Sequence, residues 1–330
     1  MRPLVCLVPH SSYRMGNALP RTVRNVINTT IMKKTLFLAG ISILLLCCQK
    51  PVETPQVSKG QLDTYPAFAS QFIQPRTVRV WTPSNYDPSI QYDVLYMHDG
   101  QMLWDTAFAW NKQEWGVDEA LDSLIAKKTI RPTIVVGIDN SVNRIGEYCP
   151  DDISLSLPES YATIYADIQA QGNDYLRFIV EELKPFIDSV YSTYPTREHT
   201  FVMGSSCGGL ISSYAVAKYP EVFGGAACLS THCTLAFPDP TKQDSILMKA
   251  YRDYLAQYIP TNGIKLYMDN GDQTLDANYI VAQTLINQTL WEKGWDEAHF
   301  MYRFFPTTAH TETDWRARLD IPLTFLLASE

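Results

Sequence analysis

The 330-residue sequence has little of several features that would assign it to a special class of protein. No apolar run reaches the roughly 18 residues of a membrane-spanning helix. Lys and Arg number 27 against 35 Asp and Glu, and this acidic balance argues against a general nucleic-acid binder, which needs clustered basic residues. The seven cysteines include no C-x-x-C pair, which argues against a zinc site. We expect no metal and no cofactor.

The composition is otherwise that of a globular protein. Apolar residues make up 46% of the chain and aromatic residues 12%, so wholesale disorder is excluded. A chain of this length buries enough apolar surface to fold without a disulfide framework. Residues 63–330 show no internal repeat and no break in composition, and this predicts one domain there.

The first 48 residues differ from the rest, because they contain six basic residues and no acidic one. Met32-Lys33-Lys34 precedes a short apolar run at 36–46, and Cys47-Cys48 and a polar, Pro-containing segment follow. This order of basic, apolar and cleavage regions is typical of a secretory signal peptide. With its terminal cysteine, the segment resembles a bacterial lipoprotein signal, which implies lipidation of Cys48. The alternatives are plain secretion, a short uncleaved anchor or a buried helix.

The sequence therefore divides into four predicted segments. Residues 1–31 are an upstream extension, 32–47 the lipoprotein signal, 48–62 a flexible tether and 63–330 the folded domain. We expect an exported protein that is attached to a membrane through its lipidated cysteine, in the periplasm or at the cell surface. No obligate protein partner is expected.

Residues 63–330 alternate between strand-like and helix-like patterns. The strand-like runs are 77–81, 93–97, 133–138, 199–203, 226–230, 265–268 and 299–305, and the helix-like runs are 176–190, 208–219, 278–293 and 315–328. Such alternation predicts an α/β domain with a mostly parallel sheet and helices on both faces. Functional groups in these sheets follow the carboxyl ends of the strands.

The strongest motif is a G-x-S-x-G sequence between a strand-like and a helix-like run. Gly204, Ser206 and Gly208 occupy its fixed positions. The motif places a nucleophilic serine in a tight strand-to-helix turn, with small residues on either side so that strand and helix can approach closely. We predict Ser206 as the nucleophile and the backbone N–H of Cys207 as one donor to the oxyanion. The alternative is a glycine-rich turn without chemistry.

A second oxyanion donor is expected after an earlier strand. His98-Asp99-Gly100-Gln101 follows the run 93–97, and we predict the Gln101 N–H as that donor, although the segment could be an ordinary turn. His310 follows the last strand and is also the last histidine in the chain. Serine, acid and histidine follow one another in this order where a G-x-S-x-G serine is the nucleophile, so we predict His310 as the base.

The acid that orients the histidine is expected after the run 265–268. Asp269, Asp272 and Asp276 all lie there. Asp276 precedes the next helix-like run, where it could instead be a helix N-cap. We favour Asp276, with Asp272 and Asp269 as alternatives.

The chain resembles the esterase branch of the α/β-hydrolases, which includes the esterase D type, enterochelin-esterase-like proteins, and feruloyl and acetylxylan esterases. The similarity covers about residues 70–328. The similarity rests on the segments 75–81, 96–101 and 181–185, on Asn140, Arg144, Glu147 and Tyr148, on the G-x-S-x-G motif with its doubled Gly208-Gly209, and on Ala309-His310 with Trp315. The resemblance implies a single-domain α/β-hydrolase fold and a serine esterase with Ser206 and His310 as nucleophile and base. It also favours Asp276.

The substrate is predicted to be an acylated carbohydrate fragment with feruloyl or acetyl esters. Trp104, Arg144 and Tyr148 are the predicted substrate contacts, because aromatic and guanidinium groups suit sugars or an aromatic acyl group. Trp110 and Trp115 flank the same loop as Trp104 and would also fit an aromatic wall, although core packing would better explain at least two of the three tryptophans. A solvated rim would equally explain Arg144 and Tyr148. A siderophore or other small ester is the second hypothesis, and a catalytically inactive carbohydrate-binding module is the third.

Overall fold

The computed structural model describes residues 54–237 and 239–329. The predicted extension, the predicted signal and Cys48 lie outside these residues. Within the described ranges, no helix has both the length and the apolar character needed to cross a bilayer. The last part of the predicted tether is ordered against the domain: the backbone N–H groups of Ser58 and Lys59 donate to Asp118, and the first strand begins at Gln61.

Eight strands of the described chain form one sheet in the order β1-β2-β4-β3-β5-β6-β7-β8. β1 and β2 run antiparallel to their neighbours, whereas β3 to β8 are parallel to one another. The strands are β1 (Gln61–Phe68), β2 (Arg76–Thr82), β3 (Asp93–His98), β4 (Thr133–Ile138), β5 (Thr200–Ser205), β6 (Gly225–Leu229), β7 (Lys265–Asn270) and β8 (Phe300–Phe304).

The interior strands β3, β4, β5 and β6 are buried along their whole length, as expected for parallel strands covered on both faces. Seven strands lie close to the predicted runs. β1 was not predicted, because it is a half-exposed edge strand with Pro66 inside it and a register shift between Tyr65 and Phe68.

Helices cover both faces of the sheet and enclose two apolar clusters, one on each side. The α-helices are α1 (Val117–Ala126), α2 (Arg144–Glu147), α3 (Asp151–Ser154), α4 (Ala162–Asp167), α5 (Gly172–Arg177), α6 (Lys184–Val190), α7 (Cys207–Lys218), α8 (Ser245–Tyr258), α9 (Ile280–Glu292), α10 (Glu312–Arg316) and α11 (Asp320–Leu327). A π-helical segment, Phe178–Leu183, joins α5 to α6. Short 3₁₀ turns lie at Gly100–Met102, Glu159–Tyr161, Arg197–His199 and Thr274–Asn278.

Two regions differ from the predicted pattern. Residues 139–174, which lie between two predicted runs and have no predicted helix, contain α2, α3 and α4, and the run 315–328 divides between α10 and α11. α7 is buried almost all round because it packs between the sheet and α8. The parallel strands all end at the same edge of the sheet, and this brings together the segments that follow β3, β5, β6, β7 and β8.

Candidate active site

Ser206 occupies a strained turn between β5 and α7. Its backbone angles are φ 57° and ψ −123°, a conformation that non-glycine residues rarely adopt. A Cβ atom at Gly204 would lie 2.7 Å from the carbonyl carbon of Gly208, so only glycine permits this close approach of strand and helix. The Ser206 N–H donates to Leu229 O at 2.9 Å, and the His232 N–H donates to Ser206 O at 3.1 Å. Neighbouring backbone therefore holds the turn on both sides.

His310 lies against Asp276. Its Nδ1 is 2.6 Å from Asp276 Oδ1. Asp276 Oδ2 also accepts from Ser230 Oγ at 2.7 Å and from the Gly271 N–H at 2.6 Å. Burial alone would raise the pKa of Asp276, but the hydrogen bonds from His310, Ser230 and Gly271 hold it below its usual value. The carboxyl group is therefore ionised at neutral pH and fixes the imidazole through Nδ1.

The two alternative acids lie elsewhere. Asp269 is fully buried and forms a two-pronged ion pair with Arg318, at 3.0 Å and 2.9 Å. Asp272 is half-buried and accepts from the Thr307 N–H at 2.8 Å. Of the three aspartates, the structure thus brings Asp276 to His310.

A buried network behind Asp276 was missed by the sequence reasoning. The Ser230 hydroxyl accepts from Trp315 Nε1 at 2.9 Å and from Arg318 Nη2 at 3.0 Å, so its own proton is directed to Asp276. Ser230 comes directly after β6 and could have been found as a polar residue at the carboxyl end of a strand. Arg318 has no such signal, because it lies between two C-terminal helices.

The predicted oxyanion donors lie on two adjoining turns. Cys207 is the first residue of α7, and Gln101 is the second residue of the 3₁₀ turn after β3, so neither N–H has an acceptor within its own helix. The turns are close, since a Cβ atom at Gly208 would be 3.4 Å from His98 Cβ and 3.5 Å from Asp99 Oδ2. The turn that carries Gln101 therefore adjoins the start of the helix that follows Ser206.

A cavity of about 260 Å³ opens at this point. Its lining residues are Asp99, Met102, Trp110, Asn111, Trp115, Arg144, Ser205, Ser206, His310, Glu312 and Trp315. The predicted contact Arg144 is among them, held by two hydrogen bonds of 2.7 Å and 2.8 Å to Asp99. Asn140 adds a third hydrogen bond to Asp99, at 2.6 Å. The guanidinium is thereby presented to the cavity with its charge balanced.

The other two predicted contacts do not line the cavity. Trp104 is 2% exposed and packs in the core beneath the 3₁₀ turn, where an apolar ring is more stable than in water. Tyr148 is fully buried, and its hydroxyl contacts Asp99 at 3.2 Å and 3.4 Å, so it supports the partner of Arg144. Trp110, Trp115 and Glu312 line the cavity instead, and of these three residues only Glu312 was missed by the sequence reasoning.

Two further histidines lie close to the turn but are buried and neutral. His98 Nδ1 is 2.8 Å from Tyr175 OH, and His232 Nδ1 is 3.1 Å from Tyr279 OH. Burial lowers the pKa of each imidazole to about 3. Neither lines the cavity, in agreement with their exclusion as the base by chain order.

In the described ranges, no three His, Cys, Asp or Glu side chains cluster as metal ligands do. The four cysteines of this part, Cys149, Cys207, Cys228 and Cys233, are buried and unpaired. A second cavity, of about 510 Å³, lies between α7 and α8 and is lined by the Asp152–Lys218 ion pair and by tyrosines. None of its lining residues forms a nucleophile–base pair.

Comparison with known proteins assigns the family. Residues 69–326 match the family described as "Putative esterase". The chain belongs to this family. A curated relative, the uncharacterized protein YjcH of Bacillus subtilis, is 25% identical over 178 residues, which are 53% of this chain and 64% of that protein. The chain thus spans slightly less than two thirds of that relative.

Solved structures agree on the fold. A ferulic acid esterase matches with a TM-score of 0.59 and 18% identity, over 82% of this chain and 98% of that one. The enterobactin esterase of Shigella flexneri matches with a TM-score of 0.60 and 19% identity, over 82% of this chain and 60% of that one. The α/β-hydrolase fold expected from the sequence is confirmed.

Proposed function

We propose that the protein is a serine carboxylic-ester hydrolase in which Ser206 is the nucleophile, His310 the base and Asp276 the orienting acid. The observation that carries the proposal is the 2.6 Å contact between His310 and Asp276 beside a cavity that Ser206 also lines. The strained backbone of Ser206 supports it further, because such strain is typical of catalytic turns.

The reaction follows from these positions. Ser206 Oγ attacks the ester carbonyl while His310 Nε2 takes its proton, and Asp276 stabilises the imidazolium through Nδ1. The N–H groups of Cys207 and Gln101 bind the oxyanion. His310 then protonates the leaving alcohol. Water, activated by the same imidazole, releases the acid and restores the serine.

Acylated carbohydrate, with feruloyl or acetyl esters, is the favoured substrate. The tryptophan rings and the neutralised Arg144 of the cavity wall suit a flat acyl ring or a sugar. The likeness to a ferulic acid esterase supports this choice. A siderophore or other small ester is the second candidate, and it is favoured by the likeness to an enterobactin esterase. Turnover of methyl ferulate, acetylated xylan and a catecholate triester separates these substrates.

The decisive test compares the two adjacent serines. Ser206→Ala removes the nucleophile, so kcat/KM for p-nitrophenyl acetate falls by about 10⁴-fold or more. Ser205→Ala is the matched control, because Ser205 lines the same cavity but ends β5, and it loses less than about tenfold. No turnover by the wild type would instead favour the inactive binding module. Equal activity of Ser206→Ala and the wild type would reject the nucleophile.

The proposal includes an exported enzyme attached to a membrane through lipidated Cys48. It is supported by the order of basic, apolar and cysteine residues from Met32 to Cys48. Palmitate labelling of the full chain is expected in the wild type and absent in Cys48→Ser, whereas labelling of neither would reject the anchor.

A further inference from the structure

Glu312 places a carboxylate in the wall of the cavity that also holds Ser206. It is the first residue of α10, follows His310 by two positions and is only 6% exposed. Asn111 Nδ2 donates to Glu312 Oε2 at 2.6 Å. Within residues 54–237 and 239–329, the side chain has no other hydrogen-bond donor and no ion-pair partner.

The orientation of Asn111 is fixed. Its Oδ1 accepts from the Gln113 N–H at 3.0 Å, so its NH₂ group must face Glu312. The nearby cations are engaged with other carboxylates: Arg144 with Asp99 and Arg316 with Glu114. A carboxylate has about four acceptor positions, and Asn111 uses one. Glu312 therefore keeps acceptor capacity toward the cavity.

The position of Glu312 on α10 explains why it faces the cavity. Residues three apart share a helix face, and Glu312 and Trp315 both line the cavity. Thr313 and Arg316 lie on the outer side, where they contact Gln113 and Glu114. An acidic residue is favourable in the first turn of any helix. That preference does not require burial in a cavity wall.

We infer that Glu312 is a specificity residue that accepts a hydrogen bond from a hydroxyl group of the substrate. The inference rests on the proposed function. When a substrate displaces water from the cavity, an unmatched carboxylate is left desolvated unless the substrate supplies a donor. A hydroxyl is the donor that the proposed substrates supply, because feruloyl groups and sugars both carry hydroxyl groups. The donor is a ring hydroxyl of the acyl group or a sugar hydroxyl of the alcohol.

Two matched substrate pairs test the inference and separate its two sources. Methyl ferulate and methyl 3,4-dimethoxycinnamate differ by one methyl group on a ring hydroxyl. Methyl 2-O-acetyl-β-xyloside and its 3,4-di-O-methyl ether differ only at sugar hydroxyls. We expect the wild type to prefer the hydroxylated member of one pair by about tenfold or more in kcat/KM, the range of a hydrogen bond to a charged group. Equal rates within both pairs would overturn the inference and leave the esterase intact.

The variant Glu312→Gln identifies the acceptor. Its amide NH₂ can donate to either a hydroxyl or a methoxy oxygen, so the preference should shrink to about threefold or less, while the dimethoxy ester is still hydrolysed. Glu114→Gln is the matched control, because Glu114 also carries a carboxylate near α10 but pairs with Arg316 and does not line the cavity. This variant should keep the wild-type preference for the hydroxylated ester. An equal loss on both members of each pair in Glu312→Gln would indicate a structural role and reject the inference. Hydrolysis of no ester by the wild type would reject the proposed function itself.

Discussion

Two parts of the cavity differ in how they are held in place: Ser206 and His310, with Asp276 behind His310, and the segment 105–116, called the wall segment, which contributes Trp110, Asn111 and Trp115. The first group is held by buried backbone and by the Ser230 hydroxyl, which is fully used in hydrogen bonds. The wall segment is held by side-chain contacts with α10 nearer the surface, and its Trp110 is 57% exposed.

The difference in support matches a difference in proposed role: Ser206, His310 and Asp276 would carry the chemistry, and the wall segment would recognise the substrate. Positions that must hold the reacting atoms within a fraction of an ångström are fixed by packing and by satisfied polar groups. Within the wall segment, Trp115 packs inward on Trp315, whereas Trp110 is exposed and can change without moving the nucleophile. Exposed loop positions of this kind commonly carry specificity. Substitutions in the first group should therefore reduce kcat, whereas substitutions in the wall should change KM.

The largest effect is expected for Asp276→Asn. The amide cannot stabilise the imidazolium and favours the wrong tautomer of His310, so kcat for p-nitrophenyl acetate should fall by about 10³- to 10⁴-fold with little change in KM. Asp272→Asn is the control on the same loop, and it should stay within about threefold of the wild type. If Asp272→Asn were inactive and Asp276→Asn fully active, the acid would be misassigned.

A smaller effect concerns stability in acid, since His98 and His232 are buried and neutral. Burial lowers the pKa of each to about 3, against about 6.5 in the unfolded chain. Below pH 6.5 the unfolded state binds a proton that the folded state does not. The free energy of unfolding should therefore fall by about 1.4 kcal/mol per pH unit for each histidine as the pH drops from 6 toward 4.

Urea unfolding at pH 6, 5 and 4 measures this dependence. His98→Gln and His232→Gln should each make it shallower by about 1.4 kcal/mol per unit, because glutamine does not titrate. A slope equal to that of the wild type in both buried-site variants would contradict the prediction.

The turn at Ser206 was largely predictable from the sequence because its geometry depends on few residue types. Gly204 and Gly208 flank Ser206 as the tight turn requires, and chain order selected His310. The choice among three aspartates required the structure, because each follows β7 and only the path of the chain through Thr274–Asn278 decides which one reaches His310.

The wall was not predictable in the same way. Trp104 and Trp110 lie in one short segment of similar composition, yet the first is buried in the core and the second is exposed beside the cavity. The turns between them decide which way each ring points, and no local periodicity encodes that direction. Glu312 was missed for a related reason, since an acidic residue opening a helix is commonplace and its burial depends on contact with a distant loop.

The smallest effect is expected for Trp110→Ala, which tests the wall directly. Its ring lies 5.9 Å from the Arg144 guanidinium and more than half of the residue is exposed. Loss of one partly solvated aromatic contact should raise KM for methyl ferulate by about three- to tenfold. We expect kcat and the turnover of p-nitrophenyl acetate to stay within about twofold, because the acetyl group is too small to reach the ring.

Steady-state kinetics with both esters distinguishes the two parts of the cavity. Trp291→Ala serves as the control, because Trp291 is an exposed tryptophan of α9 that packs on Phe300 and does not line the cavity, and it should leave both KM values unchanged. A tenfold fall in kcat for p-nitrophenyl acetate in Trp110→Ala would show that the wall segment positions the reacting groups. The separation of chemistry from recognition would then be wrong, and the side-chain contacts between segment 105–116 and α10 would have to count as part of the catalytic machinery.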